Sequence, residues 1–488
     1  MKEKSTNSER VIGITAWTGG ASRPLFSADA LRELETRVAL DLPPHTLMQR
    51  AGLAVARLAL AVAPHARHIW VACGPGNNGG DGFEAAHHLK LLGKRTVVTC
   101  ACDPRNLPWD AAASRRRALE AGVEMTESVP SGFDLCIDAL FGIGAIRQFQ
   151  EPYLSWIKAI NSSGSPVLAV DIPSGLNSDT GAACWPCVHA DFTLSLLALK
   201  PGLFTAGGRD ACGEIWLNSL NVSQPAKPCA VLNSQPGPFI RKHNSHKGSF
   251  GDVAIVGGAS GMEGAATLAA TAALHGGAGR VYVCFLDSAV SPLSSQCPEV
   301  MCRSPDGIIY QDLVVVAGCG GGNSIKVHLP RIILESSRLV LDADALNAIA
   351  ADKALQQIVV ARRPSTTVLT PHPLEAARLL NSSSHEVQAN RTQAAQAIAD
   401  RFACTVVLKG SGTIIASPGT MPRINPTGNA KLATAGTGDV LAGLIGARIA
   451  GGGEAFEAAC DSAYRHGSIA DTWRPSSTLT AHSLAKFL

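Results

Sequence analysis

The sequence lacks the marks of a membrane protein, a secreted protein or a nucleic-acid-binding protein. No stretch of about 18 strongly apolar residues occurs that could span a bilayer. The apolar run Val11–Trp17 is too short and too interrupted by glycine to be the core of a signal peptide, and acidic residues precede it. Lys/Arg-rich runs are missing, and the formal net charge is only +3. We therefore expect a cytoplasmic protein that binds neither membrane nor nucleic acid.

The cysteines lack a framework of spaced pairs. Fourteen are scattered along the chain, which is typical of a reducing compartment. The CxxC segment Cys184–Cys187 has no second pair and does not open a helix after a strand. We expect two free thiols on a loop there, and neither a redox pair nor half a metal site.

Short β-branched runs alternate with Ala- and Leu-rich stretches along the chain. This alternation predicts an α/β fold with parallel sheets covered by helices. Residues 223–238 contain four prolines and no acidic residue, and they are the best linker candidate. We predict an N-terminal extension (1–24), a first domain (25–222), a linker (223–239) and a second, different domain (240–488). The candidate strands are His68–Cys73, Arg95–Cys100, Leu135–Asp138, Val167–Asp171, Asp252–Val256, Arg280–Phe285, Leu313–Ala317, Leu339–Asp342, Thr367–Thr370, Thr405–Lys409 and Thr413–Ala416.

A glycine-rich turn at residues 73–82 follows the first candidate strand and precedes a predicted helix. Glycines there let backbone N–H groups face an anion, and the helix N-terminus adds a favourable dipole. The spacing matches neither GxGxxG nor a Walker A loop, and the turn alone could be a tight connection. Asp138 and Asp171 end two further strands and lead into glycine-containing loops. Ligands of open parallel sheets bind beyond the carboxyl ends of strands, so these loops predict a site, although an isolated Asp is more often a turn cap.

Three segments of the first half, in this order, resemble the NAD(P)H-hydrate epimerase family. They are Asn-Asn-Gly-Gly-Asp-Gly, Asp-Ala-Leu-Phe-Gly-x-Gly and Val-Asp-Ile-Pro-Ser-Gly, with Met-Gln-Arg-Ala-Gly and Lys-Pro-Gly in addition. The resemblance implies a Rossmann-like three-layer domain and a bound potassium ion. The substrate contacts that it implies are Asn77, Asn78, Gly79, Gly80, Asp81, Gly142, Ile143, Gly144, Ala145, Ile146, Arg147 and Asp171.

The same resemblance assigns the potassium ion to Asn78, Asp138 and Ser174. Oxygen ligands of this kind suit a hard cation. Asp171 is the candidate acid/base group at C6 of the hydrated nicotinamide ring. Lys200 is expected to be structural or an anion contact.

The second half contains a glycine-rich anion-binding turn, Gly436-Thr437-Gly438. Successive N–H groups of such a turn can face a phosphoryl oxygen, and the helix that follows places its positive end there. Asp439 at the helix start could be a cap or a base, and the preceding Gly-x-Gly favours the base. The segment resembles the ribokinase-like superfamily, in which it forms an anion hole and the Asp activates the acceptor hydroxyl.

Further motifs of the second half resemble ADP/ATP-dependent NAD(P)H-hydrate dehydratase. They include His-Lys-Gly, Leu-Asp-Ala-Asp-Ala-Leu-Asn, Leu-Thr-Pro-His-Pro and Lys-Gly-Ser-Gly-Thr. The resemblance implies a ribokinase-like three-layer α/β/α domain that uses ADP with Mg²⁺. It implies nucleotide contacts at Lys409, Gly410, Ser411, Gly412, Thr413 and Gly438, and contacts to the hydrated substrate at Ala265, Gly322, His372 and Asp439. Asp342 and Asp344 could be metal-associated or could cap a helix beginning near Ala345.

The second half departs from the family pattern at three places. The usual Gly-Pro-Gly-Leu-Gly is Gly318-Cys-Gly-Gly-Gly322 here, Leu374 replaces a glycine, and Lys431-Leu432 replaces Gly-Met. We expect Lys431 to add a cation beside the phosphate site. None of these changes touches Asp439.

Together the two resemblances predict a bifunctional repair enzyme. The first domain would interconvert the R and S hydrates NADHX and NADPHX, and the second would dehydrate the S form with ADP. The alternative is a ribokinase-like small-molecule kinase joined to a non-catalytic Rossmann-like binding module. Asn78, Asp138 and Asp171 are all present, which argues against a non-catalytic scaffold. We expect a homo-oligomer whose size the sequence does not fix.

Overall fold

The computed structural model describes residues 10–11, 13–144, 148–223, 227–238, 241–287, 297–474 and 476–488. The chain divides into two compact units, one of Met1–Thr18 and Pro24–Ala230 and the other of Gly19–Arg23 and Val231–Leu488. No helix in the described part of the chain combines the length and the hydropathy that a bilayer span requires.

From residue 68 onward, most strands of the first part of the chain are separated by helices, as in a βαβ protein. The strands are Arg10–Val11 (β1), Ile14–Ala16 (β2), Arg23–Leu25 (β3), His68–Cys73 (β4), Arg95–Thr99 (β5), Glu124–Thr126 (β6), Leu135–Ala139 (β7), Val167–Val170 (β8), Phe192–Leu196 (β9) and Glu214–Asn218 (β10). The helices are Ala28–Asp41 (α1), Thr46–Val62 (α2), Asn77–Leu91 (α3), Trp109–Glu120 (α4), Tyr153–Ser162 (α5) and Gly208–Ala211 (α6).

The first sheet has nine strands in the order β1-β2-β10-β9-β8-β7-β4-β5-β6. Strands β4 to β10 pair in parallel, and β2 joins β10 antiparallel. Strands β5 and β6 extend from β4 in one direction, and β7 to β9 extend in the other. The switch point therefore lies between β4 and β7, and a ligand is expected beyond their carboxyl ends.

Side chains of β4 alternate between the two faces of this sheet, as the two-residue period of a strand requires. Ile69, Val71 and Cys73 pack in one core with buried residues of α2, α3 and α4. Trp70 and Ala72 pack in another core with buried residues of α5. The sheet is thus covered by helices on both faces.

The second unit contains the remaining elements. The strands are Ala230–Leu232 (β11), Asp252–Gly257 (β12), Arg280–Phe285 (β13), Met301–Cys302 (β14), Val314–Ala317 (β15), Arg338–Leu341 (β16), Thr367–Leu369 (β17), Thr405–Leu408 (β18), Ile414–Ser417 (β19) and Thr420–Ile424 (β20). The helices are Glu263–His275 (α7), Leu329–Glu335 (α8), Ala343–Ala351 (α9), Lys353–Val360 (α10), Pro373–Leu380 (α11), Ser384–Ala389 (α12), Arg391–Phe402 (α13), Thr437–Ala450 (α14), Ala455–Thr472 (α15) and Ala481–Lys486 (α16).

The second sheet also grows outward from its earliest central strand. Its order includes β14-β13-β12-β15-β16-β17-β18-β19-β20-β11, with antiparallel pairing at β18/β19 and β19/β20 and parallel pairing elsewhere in that run. The switch point lies between β12 and β15. Helices α7, α14 and α15 cover one face through a core that includes Val253, Val316, Leu441 and Ala459. Helix α13 packs on β18 and β19.

Two local features bear on the sequence predictions. Strand β11 lies inside the predicted linker and pairs with β20, so this segment contributes to the second sheet.

Cys184 and Cys187 are free thiols, as expected. Cys100 and Cys102 are bonded to each other, and the sequence did not indicate this pair.

Candidate active sites

Close backbone packing shapes the glycine-rich turn after β4. A Cβ on Gly74 would lie 1.7 Å from the carbonyl oxygen of Leu140, and one on Gly79 would lie 2.0 Å from that of Gly74. Helix α3 begins at Asn77, with Gly76 as its N-cap residue. The first turn of α3 therefore sits against the loop after β7, and its N–H groups and dipole favour an anion such as phosphate.

The three predicted potassium ligands lie on this turn and on the loops after β7 and β8. The fully buried Asp138 accepts hydrogen bonds from the Ser174 N–H at 2.8 Å and from its hydroxyl at 2.7 Å. Burial raises the pKa of Asp138 to about 6, although these hydrogen bonds lower it. Asn78 Oδ1 lies 3.1 Å from the place of a Cβ on Gly142, and the buried Nδ2 has no partner among the described residues.

Asp171 and Lys200 form a buried ion pair. Lys200 is fully buried, and its ammonium donates to Asp171 Oδ1 and, at 3.1 Å each, to Ser195 Oγ and the carbonyl oxygens of Leu196 and Ala198. Asp171 has a left-handed backbone (φ 68°), and its Oδ1 also accepts from the Leu196 N–H at 2.9 Å. Lys200 is therefore a structural contact that holds the carboxylate of Asp171 in place.

The remaining predicted contacts of the first unit divide into two groups. Asn77, Asn78, Gly79, Gly80 and Asp81 are the first five residues of α3, and Gly142, Ile143 and Gly144 lie in the loop after β7. Ala145, Ile146 and Arg147 lie outside the described residues.

The anion-binding turn of the second unit opens α14. Gly436 is the N-cap residue with a φ of 91°, and a Cβ there would lie 2.5 Å from Leu268 Cδ1. Thr437 Oγ1 donates to the Leu432 carbonyl at 2.9 Å, and His466 Nε2 lies 2.9 Å from the Thr437 carbonyl oxygen. Burial lowers the pKa of His466 to about 4, so a neutral ring fixes this carbonyl. These contacts fix the conformation of the turn.

Asp439, in the first turn of α14, faces a second carboxylate and a lysine. One oxygen each of Asp342 and Asp439 and the Cys319 sulfur lie within 4.8 Å of one another. Lys409 Nζ is 2.6 Å from Asp342 Oδ1 and 3.3 Å from the place of a Cβ on Gly438. Burial and the charge of Asp342 raise the pKa of Asp439 to about 6. The structure thus gathers an anion-binding turn, a cation and a base with a pKa near neutrality.

His372 caps α11 and lies next to this group. Its Nδ1 accepts from the backbone N–H groups of Leu374 and Glu375 at 3.1 and 3.3 Å, and the backbone N–H of His372 donates to Glu375 Oε2 at 2.8 Å. Nε2 lies 3.2 Å from Glu375 Oε1. Burial and the charge of Lys409 lower the pKa of His372, so its ring is neutral at neutral pH.

The comparisons with known proteins agree for both halves. Residues 44–202 match the model described as the YjeF-related protein N-terminus, and residues 253–488 match the model of NAD(P)H-hydrate dehydratase. The bifunctional NAD(P)H-hydrate repair enzyme of Escherichia coli is 36% identical over 466 residues, 92% of this chain and 89% of its own. That of Coxiella burnetii is 35% identical over 92% of this chain and 94% of its own.

The chain belongs to the family of bifunctional NAD(P)H-hydrate repair enzymes. Its predicted fold class, a Rossmann-like three-layer domain and a ribokinase-like three-layer α/β/α domain, is confirmed. The ADP/ATP-dependent NAD(P)H-hydrate dehydratase of Bacillus subtilis, co-crystallised with ATP and Mg²⁺, is 28% identical, with a TM-score of 0.44 over 50% of this chain and 90% of its own.

In this repair enzyme a buried arginine supports the nucleotide loop predicted at Lys409, Gly410, Ser411, Gly412 and Thr413. The Arg391 guanidinium donates to the carbonyl oxygens of Leu408 and Lys409 at 3.2 and 3.1 Å and is 1% exposed. A Cβ on Gly410, whose φ is 133°, would lie 2.9 Å from Arg391 Nη1. The sequence reasoning missed Arg391, because neither its neighbours nor its spacing distinguish it from a solvated helical arginine.

The glycine turn after β15 meets α7 and α9. The Gly322 N–H donates to Asp344 Oδ2 at 2.8 Å, and a Cβ on Gly320 would lie 2.9 Å from Ala265 Cβ. Asp342 precedes α9, which begins at Ala343, but makes no side-chain cap hydrogen bond. The two aspartates therefore hold the turn and the lysine instead of capping the helix.

Two further findings were not expected from the sequence. Lys431 Nζ donates one hydrogen bond to the Trp473 carbonyl at 3.1 Å, a contact that orients this ammonium. In the first unit, burial and the charge of Asp171 raise the pKa of Glu35, and burial, Asp171 and Glu35 raise that of Asp81 well above its usual range. Glu35 directly follows Leu34, which is buried on α1. This position next to the buried face of the helix is the feature by which the sequence could have indicated Glu35.

Proposed function

We propose that the first unit interconverts R and S NADHX and NADPHX and that the second converts the S form to NAD(P)H with ADP, giving AMP and phosphate. The observation that best supports this proposal is the position of Asp439 between the Gly436–Gly438 turn and the Lys409–Asp342 ion pair. Such a group can bind a phosphoryl group and accept a proton beside it.

In the second unit, the Asp439 carboxylate accepts the proton of the C6 hydroxyl as its oxygen attacks the terminal phosphorus of ADP. The bond from that phosphorus to the bridging oxygen breaks, and AMP leaves. The N–H groups of Gly436, Thr437 and Gly438 stabilise the charge on the transferred group, and Lys409 adds a positive charge. The C6–O bond then breaks and phosphate departs as a better leaving group than hydroxide. C5 loses a proton to solvent as the C5–C6 double bond forms, which restores the dihydronicotinamide.

The nucleotide is proposed to lie on residues 409–413, and the hydrated ring against Ala265, Gly322 and His372. The carboxylate of Asp342, next to Asp439, is a hard oxygen donor that fits the Mg²⁺ accompanying ADP. When bound, that ion shields the phosphate charges.

In the first unit, Asp171 is proposed to move the proton during epimerisation, while Lys200 holds its Oδ1. Asn77–Asp81 and the Gly142–Gly144 loop would hold the substrate phosphates. The oxygens of Asp138, Ser174 and the Asn78 amide fit a potassium ion, since Asp138 is fully buried and Asn78 Oδ1 borders the space that a Cβ on Gly142 would fill, 3.1 Å away. When bound, the ion supplies a positive charge beside the phosphates.

The test is to incubate the full-length protein with mixed R and S NADHX and ADP and to follow the return of NADH absorbance. We expect complete recovery for the wild type, recovery of the S fraction alone for Asp171→Asn, and none for Asp439→Asn. The exposed Asp306→Asn variant is the control and should match the wild type. Full-rate dehydration by Asp439→Asn would contradict the proposed chemistry of the second unit.

A further inference from the structure

Two loops of the second unit border the place proposed for the hydrated ring. The first loop follows β12 and leads to Ala265 in the first turn of α7, and the second follows β15 and contains Gly322. The Ala259 N–H donates to the Gly320 carbonyl at 2.7 Å, which joins the two loops near the sheet. Beyond this bond the first loop continues through residues 260–262, which are exposed.

The side chain of Asp287 joins the exposed parts of these two loops. Asp287 follows β13, the neighbour of β12 in the sheet. Its Oδ2 accepts from the Ser260 N–H at 3.2 Å and from the Ser324 hydroxyl at 2.9 Å. One carboxylate oxygen therefore bridges the first loop and the residue that lies two positions after Gly322 in the second.

The first loop has little packing of its own at its tip. Gly261 has a φ of 81°, and a Cβ there would have no heavy atom of the described residues within 4 Å. Met262 is 40% exposed, yet its Cε lies 2.9 Å from the place of a Cβ on Gly322. The position of this tip over Gly322 thus depends on a few contacts, and the bridge through Asp287 is one of them.

We infer that Asp287 is a positioning residue for the hydrated substrate: its carboxylate holds the loop before Ala265 and the loop containing Gly322 in the arrangement that the ring meets. This inference rests on the proposed function of the second unit. Loops that are ordered before binding lose less conformational entropy when a ligand binds. Loss of the bridge should therefore weaken the binding of S-NADHX.

The bridge should affect substrate binding and leave the transfer of the phosphoryl group unchanged. The proposed base, Asp439, lies on α14, and Arg391 holds the nucleotide loop after β18, so neither depends on Asp287. A rise in KM at constant kcat is expected when an interaction stabilises the bound substrate and the transition state equally. General loosening of the unit would instead change kcat and the KM for ADP as well.

The experiment compares the full-length wild type with Asp287→Ala, Asp287→Asn, Ser324→Ala and the double variant Asp287→Ala with Ser324→Ala. Dehydration is measured against S-NADHX at saturating ADP and against ADP at saturating S-NADHX. We expect the KM for S-NADHX to rise about three- to fivefold in Asp287→Ala and at most about twofold in Ser324→Ala. The double variant should equal Asp287→Ala, because the Ser324 hydroxyl acts through the same carboxylate.

Two further variants separate the bridge from other effects. Asp287→Asn keeps an oxygen that accepts hydrogen bonds and should rescue the KM for S-NADHX to within about twofold of the wild type. The control is Asp312→Ala, an exposed residue before β15, at the opposite end of that strand from Gly322. It should leave both KM values and kcat unchanged.

An unchanged KM for S-NADHX in Asp287→Ala, or an equal rise in Asp287→Asn, would overturn the inference. A parallel rise in the KM for ADP would also overturn it. Asp439→Asn is assayed alongside. If that variant is inactive and Asp287→Ala keeps the wild-type KM, the positioning role alone fails. If Asp439→Asn dehydrates at the wild-type rate, the proposed chemistry fails, whatever the KM of Asp287→Ala.

Discussion

Lys200 shows how one buried side chain can serve a site without facing the ligand. Its ammonium contacts a carboxylate, a hydroxyl and two carbonyl oxygens, so all of its donors are used within the first unit. A buried cation of this kind is tolerated because its partners replace water. If Lys200 is replaced by a neutral residue, the charge of the Asp171 carboxylate has no cationic partner.

We predict that Lys200→Met lowers the free energy of unfolding of the first unit by about 3 to 5 kcal/mol. Denaturant unfolding followed by tryptophan fluorescence measures this change. Lys158→Met on the exposed side of α5 is the matched control and should change stability by less than about 0.5 kcal/mol. The double variant Lys200→Met with Asp171→Asn should be more stable than Lys200→Met alone, and an equal loss would contradict the ion-pair argument.

Residues at strand ends were predictable, whereas residues that support them from helices were not. Asp138 and Asp171 follow β-branched runs with glycine beyond, so the sequence predicts their place at the sheet edge. Glu35 and Arg391 lie in ordinary polar helices, and only the packing of helix on sheet brings them to a site. The burial of Lys200 likewise depends on β8 and β9 being neighbours, which spacing along the chain does not reveal.

Helix α3 carries a buried charge cluster next to the turn that is proposed to hold the substrate phosphates. Glu84 is fully buried, 3.0 Å from Arg117 Nη2, 3.3 Å from His88 Nε2 and 3.9 Å from His45 Nε2. Burial raises the pKa of Glu84, but its contacts with His88 and Arg117 outweigh burial and lower it to about 2. The cluster joins α3 to α4 and thereby holds the turn.

We predict an acid-sensitive stability for this element. The pKa of Glu84 is lower in the folded than in the unfolded protein. Its contribution to the free energy of unfolding is therefore fully present above about pH 4.3 and is lost as the pH falls toward 2. Glu84→Gln should lower stability at neutral pH by about 1.5 to 3 kcal/mol and flatten the loss across that range. Thermal melts at several pH values measure both effects, and parallel curves for variant and wild type would exclude the proposed linkage.

The nucleotide loop after β18 depends on α13. Arg391 reaches two carbonyl oxygens with one planar group, which a lysine does not reproduce. We predict that Arg391→Lys raises the KM for ADP about tenfold, close to 1.4 kcal/mol, with a smaller change in kcat. Steady-state kinetics measure the KM for ADP and kcat. Arg401→Lys on the same helix is the control and should leave the KM for ADP unchanged. A fall in kcat with an unchanged KM would place Arg391 outside nucleotide binding.

Element boundaries were predictable where apolar runs are long. The candidate strands His68–Cys73 and Arg280–Phe285 match β4 and β13 residue for residue. The short β11 lies in a proline-rich segment with no alternation of its own, because its pairing with β20 is supplied by tertiary structure. Strands of this length carry too few side chains to produce a pattern.

At the scale of the whole molecule, each proposed site is built from residues of one unit. Asp171, Asp138 and the α3 turn belong to the first unit, and Asp439, Lys409 and Asp342 belong to the second. We predict that an equimolar mixture of Asp171→Asn and Asp439→Asn protein recovers NADH completely from mixed NADHX and ADP. Each single variant serves as the control, and recovery limited to the S fraction would show that the two activities depend on each other in one chain.

The switch points of the two sheets have an evolutionary consequence. In both sheets the parallel strands that follow an inner strand, β4 or β12, extend to either side of it. The proposed sites lie beside these inner strands, and the margins of the sheets are free to change. Gain or loss of a peripheral piece, such as the antiparallel β1–β2 ribbon, should be tolerated during divergence, whereas an insertion between β4 and β7 or between β12 and β15 should not.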